Sequence, residues 1–141
     1  APYGITVRVL KYCPQTGACL IYLYRAGWLR SILSEPSTRA FLAGQGYGAD
    51  QSCQELLRQL SRRLCLEREF PHEIGVFLGY PLEDVVGFIR NRGRNYTCCG
   101  YWKAYGDPET ARKRFDQYRR CTAACCEQFR QGAAITQLIA A

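Results

Sequence analysis

The chain contains no methionine, one histidine and no apolar run close to the length of a bilayer span. Each scarcity excludes something. A transmembrane helix needs about 20 mainly apolar residues. The longest apolar stretches, Ala18–Tyr24 and Ile74–Tyr80, have the length of a strand or a short helix. Neither a charged leader nor a long apolar segment opens the sequence, so no secretory signal is expected. With alanine at position 1 and no methionine, the sequence is expected to be a processed or trimmed piece. No pair of cysteines has C-x-x-C spacing, which removes the usual zinc-ribbon and thioredoxin-like signals. The G-x-S-x-G, phosphate-loop and dinucleotide glycine patterns are missing too. Lysine is also scarce: of nineteen cationic side chains, only three are lysine and the rest arginine.

What is present fits one folded domain spanning residues 1–141. The composition is 48% hydrophobic and 22% charged, which argues against wholesale disorder. A net charge of +7 favours an anionic partner. The arginines are nevertheless spread over four segments and match no nucleic-acid signature, so nucleic acid is the less favoured partner. Nine cysteines without a secretory signal are expected to stay reduced in a cytoplasm.

Polarity alternates along Ile5–Leu10, which predicts a strand; turn residues follow at Cys13–Gly17, and Ala18–Tyr24 predicts a second, more buried strand. Helices are expected over Ala26–Leu33, Ser37–Ala43 and from an Asp50 cap to Glu69, the last with Cys53, Leu57, Leu60 and Leu64 on one stripe. Pro71 opens a short helix that Gly79 closes. Pro81 opens another, with Leu82, Val85, Val86 and Ile89 inward and Gly93 as its stop. The aromatic run Tyr96–Tyr105 predicts a third strand. Asp107-Pro108-Glu109 starts a long helix with Ala111, Phe115, Tyr118, Thr122, Cys125 and Phe129 on one stripe, ending at Gly132. A last helix is expected within Ala133–Ala141. The resulting class is α+β: a small, mainly antiparallel three-stranded sheet, made of the N-terminal hairpin and one later strand, covered by about six helices.

The lone histidine has a glutamate beside it in a run punctuated by glycine and proline. At a helix start, His72 is either a neutral imidazole that binds or abstracts a proton, or a buried group bonded to nearby backbone. Glu73 points about 100° away from it, so the two cannot face one ligand. Val76 stands where H-E-x-x-H would need its second histidine. Glu83 and Asp84 are most simply first-turn acids facing the helix dipole. Cys53 and Cys125 fall on core stripes. Cys98 and Cys99, adjacent in a strand, point to opposite faces. Cys121 and Cys125 lie four apart on a helix. His72, Cys99 and Cys121 are weak candidates for a shared metal. The arginine-bearing faces around Gly93 and along Arg112–Arg120 are solvated surface or an anion-binding face.

Three blocks occur in order: Phe70–Phe88, Cys99–Gly106, and Phe115 with Tyr118 and Cys121. Together they resemble the bacterial domain-of-unknown-function family numbered 3793, over residues from about Val7 to the C-terminus. Ala104 stands where valine is more usual. Members also carry an N-terminal segment with a Cys-Ala-Pro-type motif and a lysine, absent here. The resemblance implies an intracellular bacterial protein and supplies no reaction or cofactor.

The candidate pocket comprises His72, Glu73, Gly75, Cys99, Trp102, Lys103 and Cys121, where the histidine segment, the aromatic strand and the long helix are expected to converge. Three functions follow. The first is a ligand- or metal-binding accessory protein of redox or metal metabolism. The second is an enzyme with Cys99 or Cys121 as nucleophile and His72 as base. The third is a basic module for nucleic acid or another anionic partner. The sequence names no cofactor and gives no reason to expect a membrane.

Overall fold

The computed structural model describes residues 3–140. Strands β1 (Ile5–Tyr12) and β2 (Cys19–Arg25) form the expected antiparallel hairpin, in register from Ile5 opposite Arg25 to Tyr12 opposite Cys19. A bulge lies between Val9 and Lys11, and Leu10 is buried on the face it shares with Thr6 and Arg8. On β2 only Tyr22 and Tyr24 are buried, stacked with ring centres 4.9 Å apart. Val7, Val9, Ile21 and Leu23 face outwards, so β2 is less buried than its apolar run suggests. The Tyr22 hydroxyl donates to the carbonyl of Phe77, which ties the hairpin to the site segment.

Helices α1 (Ala26–Ser34) and α2 (Pro36–Gly44) are split at Glu35, where the backbone leaves helical geometry ahead of Pro36. Helix α3 (Cys53–Leu66) is shorter at both ends than expected, and Ser52 caps it instead of Asp50. The reason is a capping box: Ser52 accepts from the Glu55 amide while the Glu55 carboxylate accepts from the Ser52 amide. Its apolar stripe buries Leu56, Leu57, Leu60 and Leu64, with Cys53 only half-buried. The short α4 (Ile74–Phe77) and then α5 (Leu82–Asn91) follow.

The third strand is a correction. Tyr96–Tyr105 does not extend the hairpin sheet. It folds back on itself as β3 (Cys98–Cys99) and β4 (Lys103–Ala104), a separate two-stranded antiparallel sheet. Gly100 makes the reversal, its amide bonding the Trp102 carbonyl at 3.0 Å. A Cβ at Gly100 would stand 2.4 Å from the Phe115 ring, so only glycine lets the long helix pack there. The fold is therefore α+β with two small sheets and, among the described residues, seven helices.

Helix α6 (Pro108–Arg130) begins at the Asp107 cap, whose carboxylate accepts from the Thr110 amide at 2.8 Å. Its stripe is buried only at Ala111 and Phe115. Tyr118 is half-exposed, and Cys121, Cys125 and Phe129 are exposed, so the stripe outruns the body it packs on. Helix α7 (Ile135–Ala140) closes the chain; Ala141, at the end of the expected last helix, lies outside the described residues. No helix among the described residues is long and apolar enough to cross a membrane.

The main core is leucine-rich, built from α1, α2 and α3 and closed by Val76, Phe77 and Val85. A second cluster of Trp102, Ala104, Ala111 and Phe115 sits under the β3–β4 turn. Phe77, fully buried, belongs to the same segment as the candidate histidine. Phe77→Ala is expected to cost about 3–5 kcal/mol in a urea unfolding titration, a large share of the stability of a small domain.

Candidate functional site

The segment from Phe70 to Tyr80 is held by its glutamate. Glu73 is 3% exposed, and its Oε1 accepts from the Tyr47 hydroxyl at 2.9 Å and from Arg63 Nη1 at 2.7 Å. Arg63 also reaches Glu67 at 2.8 Å and the Gln45 carbonyl at 2.9 Å, and its guanidinium lies over the Tyr47 ring. Burial, with the Glu73 carboxylate alongside, pushes the Tyr47 hydroxyl above its ordinary value and keeps it a proton donor. A carboxylate this deep persists because it is paired and hydrogen-bonded. Glu73 is an anchor, outside the cleft described below.

His72 takes the other side. It and Glu73 stand in the turn before α4, not in a first helical turn begun at Pro71. With Glu73 buried, the imidazole is left exposed, its ring centre 5.6 Å from Phe70 and 4.9 Å from Phe88. It has no side-chain hydrogen-bond partner among the described residues, so it does not tie the backbone together. Gly75, one turn on, is buried where a Cβ would come within 2.8 Å of Val85 Cγ2; the missing side chain lets α4 lie close on α5.

Asp84 organises the opposite wall. Its Oδ2 accepts from Trp102 Nε1 at 2.7 Å, and its Oδ1 accepts from the amides of Tyr105 and Gly106 at 2.7 and 3.3 Å. It is thus more than the dipole-facing acid its position suggests, while its neighbour Glu83 is exposed. Trp102, fixed by this bond, stacks on Tyr80 with ring centres 4.9 Å apart and meets Phe115 edge-on. Burial raises the Tyr80 hydroxyl above its ordinary value.

Between these walls lies a cleft of about 560 Å³. His72, Gly75, Cys99, Trp102 and Lys103, five of the residues singled out from sequence, line it together. Glu73 and Cys121 do not: the first is turned into the core, and the second is exposed on α6 beyond the packed part of that helix. The metal set of His72, Cys99 and Cys121 is accordingly not assembled. Among the described residues, no three His, Cys, Asp or Glu side chains are placed to hold an ion. Cys98 packs on the Trp102 cluster, and Cys99 lines the cleft. All nine cysteines are unpaired.

Sequence reasoning missed the aromatic walls, Phe70, Tyr80, Phe88 and Tyr101, and Leu20 from the hairpin. A signal for the Asp84 bond was present, since a buried tryptophan needs an acceptor for its N–H. Lys103 Nζ donates to the Gly93 carbonyl at 2.8 Å and lies 5.0 Å from the Tyr96 ring centre.

A family model described as "Protein of unknown function (DUF3793)" matches residues 1–139. The chain belongs to this family. No curated protein and no solved structure matches it. The family description carries no reaction. What the family member offers in the cleft is an apolar cavity with one imidazole, one ammonium and one thiol on its wall.

Asp84→Ala leaves the Trp102 indole and two backbone amides without their acceptor. The expected result is a loss of about 3 kcal/mol or more in unfolding free energy, with a changed tryptophan signal in near-ultraviolet circular dichroism. Glu73→Ala strands Arg63 and Tyr47 and is expected to cost about 3–5 kcal/mol in the same titration.

Proposed function

We propose that this protein binds a small organic ligand in the cleft between α4, α5 and the β3–β4 turn, as an accessory protein of bacterial cytoplasmic metabolism. The observation that carries the reading is the cleft itself. Its volume of about 560 Å³ suits a small molecule, within the roughly 300–1,000 Å³ of ordinary ligand sites. Its walls are mainly aromatic and aliphatic, with few polar groups converging on one space. Nine unpaired thiols fit a reducing compartment and a place in redox metabolism. The metal-binding form of this role has weaker support, because the candidate donors do not converge.

A second reading is favoured by one specific observation: Cys99 and His72 line the same cleft, as a nucleophile and its base would. In that case Cys99 alkylates far faster than the other thiols near neutral pH, and slows in His72→Ala. The labelling is resolved residue by residue, because hydrogen bonds from Thr16 hold the Cys13 thiol below its ordinary value and make it a competitor outside the cleft. Uniformly slow labelling at Cys99 would sink the enzyme reading. An anion-binding module on the arginine-bearing face of α6 has only exposure and charge behind it.

The binding role is tested by the native mass of protein purified without oxygen, set against its denatured mass. A discrete excess is expected, and it disappears in Leu78→Arg, which puts a charge on the cleft wall at a side chain already 42% exposed. Equal masses in well-folded protein would count against a resident ligand.

A further inference from the structure

Charge narrows what the cleft can hold. Among the described residues that line it, His72 and Lys103 are the groups able to carry positive charge, and Asp84 is the carboxylate. Asp84 is no counter-ion for a ligand, because three N–H donors already occupy its oxygens. Lys103 stands directly across from Cys99 in the β3–β4 register, and paired side chains leave a sheet on one face. Its ammonium has three donors. One is taken by the Gly93 carbonyl, and no carboxylate pairs with it among the described residues. Its Nζ lies 5.9 Å from the Phe88 ring centre, and the His72 imidazole packs on that same ring. Both polar groups are therefore presented around one aromatic side chain.

The rest of the wall is mainly apolar, with several aromatic rings among aliphatic side chains. Tyr80 stacks on Trp102, and Tyr101 meets Phe115 and Tyr118 nearby. Such faces favour offset or edge-on contact with another ring, and an ammonium with free donors favours an acid group. Granting the proposed binding role, we infer that the ligand is a planar aromatic anion, its ring against the Phe88 and Trp102 side of the cleft and its acid group at Lys103. Cys99 then lies next to the acid group and reports on occupancy.

Two fluorescent probes with the same aromatic body separate the possibilities: anilinonaphthalene sulfonate, which is anionic, and phenylnaphthylamine, which is neutral. Each is titrated against the full chain, with folding checked by near-ultraviolet circular dichroism. Both are expected to bind and to slow alkylation of Cys99. The sulfonate is expected to bind about tenfold more tightly at low salt, and the preference to shrink as salt rises. Lys103→Met should collapse the anion-to-neutral ratio towards one, and Lys103→Arg should retain it. A neutral probe that binds as well as the sulfonate, or a ratio that survives Lys103→Met, overturns the anion inference and leaves the ligand site standing. Failure of both probes to bind, or binding that leaves Cys99 labelling unchanged, overturns the ligand site itself.

Discussion

The buried carboxylate of Asp84 is the constraint on which the cleft depends. It lies in the first turn of α5, yet its acceptors are used by a tryptophan indole and two amides from a segment about twenty residues later. The β3–β4 sheet has only two residues in each strand and could not hold its shape by ladder bonds alone. Asp84 supplies what the sheet lacks. It sets the orientation of Trp102, and Trp102 in turn holds Tyr80 on one side and Phe115 on the other. One acid thus joins the helix before the cleft, the turn beside it and the long helix behind it.

Glu73 does the corresponding work on the other wall, with opposite consequences for its neighbour. Its bonds to Tyr47 and Arg63 fasten the turn before α4 to α3 and to the loop leading into it. Successive side chains cannot share a direction, so burying Glu73 displays His72. The histidine is exposed because the glutamate is not. Both walls are therefore positioned by buried, hydrogen-bonded carboxylates, and the cleft surface is mainly rings and aliphatic side chains with one imidazole, one ammonium and one thiol.

Much of this was legible residue by residue. The N-terminal hairpin, the Pro36 break, the Pro81 and Asp107 helix starts and the Gly93 and Gly132 stops were set by local backbone chemistry, and they stand in the structure close to where the sequence puts them. His72, Gly75, Cys99, Trp102 and Lys103 were grouped from segments dense in aromatics and glycine, and they line one cleft. The errors arose where a local pattern had two outcomes. Tyr96–Tyr105 has strand propensity, but it reverses at Gly100, where the Phe115 ring leaves no room for a side chain. The α6 stripe is periodic to Phe129, but periodicity does not say where the body it packs on ends. Cys121 fell outside the cleft for that reason.

By itself, the sequence determined the class of elements, their order and most of their boundaries, because capping, proline geometry and apolar spacing act over a few residues. It also settled which residue types were available for chemistry. The tertiary structure alone decided that the two acids serve as anchors, that the later strand makes its own sheet, and that the rings of Phe70, Phe88 and Trp102 enclose one space. Those outcomes rest on contacts between residues far apart in the chain, such as Glu73 with Tyr47 and Asp84 with Trp102. No local spacing encodes which distant partner a buried polar group will meet.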